Sequence, residues 1–479
     1  ERLKEPENWK PEPLEMVPAP KNQRWTYFNE KWVPVPKEKK VDLKLRPLAH
    51  LDLQDQVVAT AIMLCLADRV ETALGDPRLS IYKPDNRRKV LAYGHRLFCD
   101  LNDDNELLHH WGSTKLYRQF FQDYQTFLER PKIVAKSIQD SESYEIANIQ
   151  SDLSKFYDRV RPTLLHEKLY KFKYSSDEDA FFNFAERVLD WRWTDLNRAE
   201  RYSKDHNIPN FRLIALPQGL VTAGFFANIV LLDLDIALRK AIGEKLPGSE
   251  IVLEDVCYYV DDFRIVLKIP RNMHEDDIKN ASMAWLQNLL DKNAPGLKIS
   301  DDKTIVTVEG RDKRFLVMQS KEANRIQNQV SDTFDMLHGT ELIAAIEGFF
   351  HTQQRYSTEP ASEKKEPGLL VGVPDMRDDT AARFAAGKFR RTFRSLRPLL
   401  ADETESYTPD VDDEEDTLPQ QFVLTKTQLD ERAKFFAALL IEEWIRNPGN
   451  VRLMRIALDM YPDSVFLDQI LRILRPGWE

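Results

Sequence analysis

Apolar residues recur every three to four positions between Asp52 and Ala73, at Leu53, Val57, Ala61, Leu64, Ala67 and Val70. That is the spacing of one face of an α-helix. Similar spacing predicts helices over Leu164–Lys171, Asp177–Trp193 and His274–Leu290, and the nearly unbroken apolar run Ala223–Ile242 predicts a long helix. Glu145–Ser151 reads as a short strand. Two β-rich runs, Asp255–Val260 and Phe263–Leu267, are interrupted only by Asp261-Asp262, which predicts a hairpin with an acidic tip. Leu297–Ile299 and Thr304–Val308 read as a further strand pair, and the segment up to Ile138 is mixed. Beyond residue 330 almost everything reads as helix. Leu429–Ile445, Val451–Met460 and Ser464–Leu474 form three short amphipathic stretches with tight breaks, like one or two units of a helical solenoid.

The pattern divides the chain. Residues 1–45, rich in Pro, Lys and Trp with little periodicity, read as an extended arm wrapped on something larger. An α+β body follows over 46–330, then a helical stretch over 331–401, an acidic linker over 402–420 and a helical tail over 421–479. At 479 residues, 42% hydrophobic and 30% charged, the composition is that of a folded globular protein. No apolar stretch approaches the ~18 residues that would span a bilayer, so the expectation is no membrane partner and a cytoplasmic location. The chain opens on Glu1 rather than Met, as a segment of a longer protein would. Cys65, Cys99 and Cys257 stand far apart, which supports neither a disulfide framework nor a zinc knuckle and leaves buried apolar thiols as the expectation.

A net charge of −10 argues at first against a nucleic-acid partner. The distribution changes that picture. Asp402 to Asp416 is strongly acidic, whereas Arg383 to Arg397 carries six basic residues and no acidic one, so the two runs cancel in the total. On a helix, Arg383, Lys388, Arg390, Arg391 and Arg394 would flank a stripe of Phe384, Phe389, Phe393 and Leu396, a face suited to a phosphate backbone. The competing reading is a solvated basic face neutralised by the acidic linker.

The candidate chemistry lies in three aspartates. Transfer of a phosphoryl group to a growing strand uses two divalent cations about 4 Å apart, and hard Mg²⁺ favours carboxylates on rigid supports. Asp152, at the end of a strand, and Asp261-Asp262, at a hairpin tip, would supply them. Of the tip pair, Asp261 is expected to point at the metals more squarely, because successive strand residues face opposite ways. Taken singly, an Asp-Asp step is also what a plain turn uses, and Asp152 could simply cap a helix beginning near Ser154.

Their company resolves much of this. Ser151-Asp-Leu-Ser-Lys-Phe-Tyr-Asp158, Leu216-Pro-Gln-Gly219 followed by Ala227-Asn-Ile229 and Leu234-Asp235, and Tyr259-Val-Asp-Asp262 resemble, in order, the first three polymerase motifs of reverse transcriptases. Gly296–Lys303 resembles the fourth, and Arg314-Phe-Leu-Val317 sits where a primer-grip turn should follow. Arg46-Pro-Leu48, Asp55-Gln-Val-Val58 and Tyr93-Gly-His-Arg-Leu97 resemble the fingers motifs of the group II intron, retron and abortive-infection branch. The likeness covers about residues 45 to 350, and Tyr93–Cys99 together with the helical extension looks most like the bacterial abortive-infection or defence-associated members. The position that is often Ser after the second motif's Pro-Gln-Gly is here within Leu220-Val-Thr-Ala223, a departure that concerns template contacts rather than the carboxylates.

The resemblance implies a right-hand polymerase fold, with fingers and palm around an antiparallel catalytic sheet and a helical thumb-like and solenoid-like C-terminal region. It implies Asp152, Asp261 and Asp262 as ligands of two Mg²⁺ ions, with Mn²⁺ as a substitute, and Lys303 as a group that protonates or stabilises the leaving pyrophosphate. Leu153, Tyr157, Gln218 and Gly219 would contact the nucleotide, with the Tyr157 ring lying under the sugar to exclude a 2′-hydroxyl. Arg46 and Arg96 would grip the triphosphate. The implied partners are an RNA template or noncoding RNA, the DNA product and deoxynucleoside triphosphates; separately, the tail repeats could stack on each other or on another subunit, giving a homo-oligomer through the helical C-terminal region. The alternatives are a terminal-transferase-like or protein-primed polymerase, an RNA-templated RNA polymerase, and a non-catalytic RNA-binding scaffold, which the intact aspartates disfavour. No His/Asp/Glu/Asp nuclease, zinc-finger or endonuclease motif is evident.

Overall fold

The computed structural model describes residues 6–20, 25–34, 45–113, 115–118, 120–138, 143–309, 311, 378–400, 425–446 and 448–474. Arg314–Val317, much of 331–401 and the acidic linker 402–420 lie outside the described residues, as do the side chains of Arg383 and Lys388. The chain divides into two compact units, Glu1–Pro18 with Pro47–Lys313, and Ala19–Arg46 with Arg314–Glu479.

The N-terminal segment carries strand β1 (Glu15–Pro20), the hairpin β2 (Trp25–Phe28) and β3 (Lys31–Pro34), and β4 (Leu45–His50), which pairs with β1. Helix α1 (Leu53–Leu74) follows. Asp52 caps it, its carboxylate accepting from the backbone of Gln54 at 2.9 Å and Asp55 at 3.3 Å, which satisfies donors that the first turn leaves open. Gly75, at φ 80°, ends it. Next come α2 (Pro84–Lys89), the short hairpin β5 (Cys99–Leu101) and β6 (Leu107–His109), and α3 (Phe120–Ser137).

The central sheet begins with β7 (Tyr144–Asp152). After it run α4 (Phe156–Arg159), α5 (Pro162–Tyr170), α6 (Asp179–Val188), β8 (Trp191–Arg192), α7 (Leu196–His206), β9 (Leu213–Ile214) and α8 (Ala223–Ala241). The hairpin β10 (Val252–Tyr259) and β11 (Asp262–Pro270), then α9 (Glu275–Asn293) and β12 (Ile305–Val308), complete it. Sheet order is β10-β11-β7-β12, antiparallel throughout. Ile146 and Val266 meet Val134 of α3 on one side, while Ala147, Ile149, Ile265 and Leu267 join the main core with α8 on the other. Burial on both faces is why these strands read as nearly continuous apolar runs.

Two sequence expectations change here. The helix anticipated over Asp177–Trp193 stops at Val188, and Trp191–Arg192 instead pair with Leu213–Ile214. Leu297–Ile299 is not half of a strand pair: Ile299 makes one bridge to Leu153, and β12 pairs with β7. Of the cysteines, Cys99 and Cys257 are buried, which pushes both thiols up to about 12, whereas Cys65 is exposed.

The second unit has its own core. Helices α10 (Asp378–Leu396), α11 (Lys426–Arg446), α12 (Val451–Met460) and α13 (Ser464–Leu474) pack around stacked Phe389 and Phe436, with centroids 4.1 Å apart. The β2–β3 hairpin belongs to this unit. Trp32 Nε1 donates to the Ile445 carbonyl at 3.0 Å and its ring meets Trp444 edge-on, while the Tyr27 hydroxyl donates to the Ile473 carbonyl at 3.3 Å. Among the described residues no helix is long and apolar enough to cross a membrane.

Candidate active site

Pairing of β7 with β11 sets Asp262 directly opposite Asp152, so both leave the same face at one end of the sheet. The β10–β11 turn is just Val260-Asp261, closed by the Tyr259–Asp262 pair. Val260 holds φ 58°, a left-handed conformation that is costly for a β-branched side chain and persists only where its surroundings enforce it. They do so here. Val260 is buried, and Gly94 lies so close that a Cβ there would come within 2.6 Å of Val260 Cγ2 and 2.9 Å of its backbone nitrogen. The Asp261 carbonyl accepts from Leu153 N at 2.8 Å, tying the tip to the residue after Asp152.

The stretch before β12 lies alongside. Ser154 N donates to the Lys298 carbonyl at 2.7 Å and Ser300 N to the Asp152 carbonyl at 2.8 Å, and these bonds bring the Lys303 ammonium onto the Asp152 carboxylate. Burial, then the charges of Asp262 and Asp152, push the Asp261 carboxyl up to about 7, while Lys303 acts in the opposite sense. Among the described residues no three His, Cys, Asp or Glu side chains are already gathered as a metal cage. The donors nevertheless fit a hard divalent cation. They are oxygen ligands at adjoining strand ends, close enough to repel one another, with a positive charge on one of them already.

The remaining predicted residues fall into groups. Tyr157, on α4, is half-buried and within reach of the charge on Asp261; burial is the main cause of its phenol being raised. Gly219 has φ 126°, and a Cβ there would sit 2.7 Å from the Ala49 carbonyl, so its close approach is to strand β4. Gln218 is joined to that segment too, its carbonyl accepting from Ala49 N at 2.7 Å. Leu153 is 1% exposed, so its side chain belongs to the core and only its backbone reaches the tip.

Arg96 does not stand ready for a triphosphate. It is 1% exposed, and its guanidinium donates to Glu71 Oε2 at 2.7 Å, to the Ala92 carbonyl at 2.8 Å and to the Gly75 carbonyl. A buried charge must be paired in this way, and the bonds pin the segment that carries Gly94 to the end of α1. Arg46 is half-buried in β4. In the second unit, among the described residues, the basic stretch finds counter-charges on neighbouring helices: Arg390 (2.9 Å) and Arg394 (2.6 Å) both bind Asp459, and Arg397 binds Asp430 at 2.7 Å. Arg391 is exposed.

Other contributors escaped the sequence reading. Asp158 is 2% exposed and accepts from Gln218 Nε2 at 2.8 Å and the Tyr202 hydroxyl at 2.9 Å. Tyr202 lies on α7, a helix that the pattern of apolar positions does not mark. Asp235 accepts from the Tyr258 hydroxyl at 3.1 Å, linking α8 to the β10–β11 hairpin. Asp158 closes the first motif and Gln218 belongs to the second, and only the fold brings them together.

Residues 96–337, about half of the chain, match the family described as reverse transcriptase (RNA-dependent DNA polymerase). The chain belongs to that reverse transcriptase family. Membership brings a right-hand polymerase fold, consistent with the mixed helix and sheet of the first unit. Among solved structures, a telomerase from Candida albicans in complex with a TWJ fragment of telomeric RNA is similar at 12% identity and a TM-score of 0.28. The alignment covers 74% of this chain and 53% of the telomerase chain, so the chain spans about half the length of that relative. No curated protein matches the sequence.

Proposed function

We propose that this reverse transcriptase is an active RNA-directed DNA polymerase, with Asp152, Asp261 and Asp262 holding two divalent cations, Mg²⁺ by preference. The observation that carries the reading is the strand register that sets Asp152 opposite Asp262 with Asp261 in the intervening turn. Bound there, the cations would acidify the attacking 3′-hydroxyl and neutralise charge on the leaving pyrophosphate. The chain supplies the rest. The strained, packed turn fixes the carboxylates in advance, Lys303 offers a proton or a positive charge beside Asp152, and the bulky Tyr157 ring disfavours a 2′-hydroxyl. Gln218 and Gly219 line the nucleotide side.

The substrates are deoxynucleoside triphosphates and an RNA template, and the helical second unit serves as a thumb-like, solenoid-like platform for nucleic acid. The chain's resemblance at Tyr93–Cys99 to the abortive-infection branch supports a role in bacterial defence against phage. Asp261→Asn is expected to abolish primer extension on an RNA template in Mg²⁺ while keeping the folded state, since it removes charge at nearly constant volume. Extension at the wild-type rate in this variant would refute the assignment.

A further inference from the structure

A line of hydrogen-bonded polar side chains runs from Lys155 to Gln218. Lys155 Nζ donates to the Tyr202 hydroxyl at 2.9 Å, Tyr202 donates to Asp158 Oδ2 at 2.9 Å, and Gln218 Nε2 donates to Asp158 Oδ1 at 2.8 Å. The direction of these bonds is forced from the ends. An ammonium only donates, so Tyr202 must accept from Lys155 and pass its own proton on to Asp158. An ionised carboxylate only accepts, so the Gln218 amide must turn its nitrogen inward. Burial favours the protonated acid at Asp158, but Gln218, Tyr202, Lys155 and Arg161 all act to keep the charge. An amide free to flip would offer either a donor or an acceptor; this one is committed. Among the described residues no protein group bonds Gln218 Oε1.

We propose that Lys155, Tyr202 and Asp158 are a positioning relay that locks the Gln218 amide, so that its Oε1 presents an acceptor to a sugar hydroxyl in the polymerase cleft. The inference rests on the polymerase reading above and deepens it. Position supports it: Asp158 directly follows Tyr157, which feels the charge of Asp261, and Gly219, next to Gln218, is exposed. A hydroxyl is the matching donor because it can turn its proton to a fixed acceptor. Two sugars could supply it, the 3′-hydroxyl of an incoming nucleotide or the 2′-hydroxyl of an RNA template.

The test uses the full chain and steady-state incorporation on a primed homopolymer. Two ratios of kcat/KM are measured: dTTP against its 3′-deoxy analogue on RNA, and dTTP on matched RNA against DNA templates. Wild type, Gln218→Met, Asp158→Asn and Tyr202→Phe are compared, with thermal melts for each. A lost neutral hydrogen bond should lower one of the two ratios by about five- to tenfold, chiefly through KM, in Gln218→Met and Asp158→Asn alike, with a smaller fall in Tyr202→Phe. The double variant Asp158→Asn/Gln218→Met should lose no more than Gln218→Met alone. A fall in the first ratio assigns the nucleotide hydroxyl, and a fall in the second assigns the template hydroxyl. Should Asp158→Asn not fold, Tyr202→Phe decides, because it frees the carboxylate to turn. Wild-type ratios in the relay variants beside a lowered ratio in Gln218→Met would overturn the relay, and unchanged ratios in Gln218→Met would overturn the acceptor role. Failure of the wild type to extend any primer would instead refute the polymerase reading itself.

Discussion

At the scale of single residues, Asp261 joins stability to chemistry. Its carboxyl ordinarily titrates near 3.8 and in the folded chain is pushed up to about 7 by burial, with Asp262 and Asp152 adding to the effect. Between those two values the unfolded chain gives up a proton that the folded chain keeps. Stability therefore falls as pH rises from about 4 to about 7 and is flat beyond on this account. Asn cannot ionise and escapes the penalty. In chelator, Asp261→Asn should melt above wild type at pH 8, and the gap should close as pH falls toward 4. Mg²⁺ should raise the wild-type melting temperature more than the variant's, because a cation offsets the same repulsion. Melting curves across pH with and without Mg²⁺ provide the check, and a gap independent of pH would mean that the three carboxylates do not share one field.

At the scale of elements, the acidic hairpin depends on a neighbour distant in sequence. Tyr93 N donates to the Tyr258 carbonyl at 3.0 Å and Tyr258 N to the Leu91 carbonyl at 2.9 Å, so the segment ending in Gly94 lies along β10 and presses on Val260. Since an added Cβ would collide with backbone as well as side chain, Gly94→Ala must displace the turn. Misplacement of reacting groups by about 1 Å can cost about a hundredfold in rate, whereas overpacking costs about 1–3 kcal/mol of stability. Gly94→Ala should thus lose activity far out of proportion to stability, as primer extension and denaturant unfolding would record; a wild-type rate would show that Gly94 does not hold the tip. The hairpin, Asp152 and the flanking helices were legible in the sequence because strands covered on both faces are apolar throughout, so a pair of aspartates between them stands out. Arg96 was not, since its partner Glu71 is 25 residues away and burial of a charge leaves no local trace. Trp191–Arg192 was misread for a related reason: a two-residue strand is too short to impose a period against the helix before it. The fate of the basic helix was hidden as well, because Asp459 lies 65 residues beyond Arg394.

At the scale of the whole molecule, the second compact unit combines two segments far apart in sequence, Ala19–Arg46 and Arg314–Glu479, so its helices depend on a hairpin from an early part of the chain. Trp32 ties the hairpin to the helices: half-buried, it donates to the Ile445 carbonyl in the last turn of α11 and meets Trp444 edge-on. Such a contact joins the unit without a share in the central sheet, whose ladder from β7 to β12 is internal to the other unit. Removing the indole leaves a cavity beside Trp444 and an unbonded carbonyl, and truncation of a large aromatic costs about 3 kcal/mol or more. Trp32→Ala should consequently speed hydrogen exchange at the amides of α11 and α13 while β7, β10 and β11 keep their protection. Peptide-resolved exchange distinguishes the outcomes. Equal loss of protection in the catalytic sheet would mean that the two units unfold as one, and undiminished protection in α11 would mean that the hairpin merely rests on the helices without stabilising them.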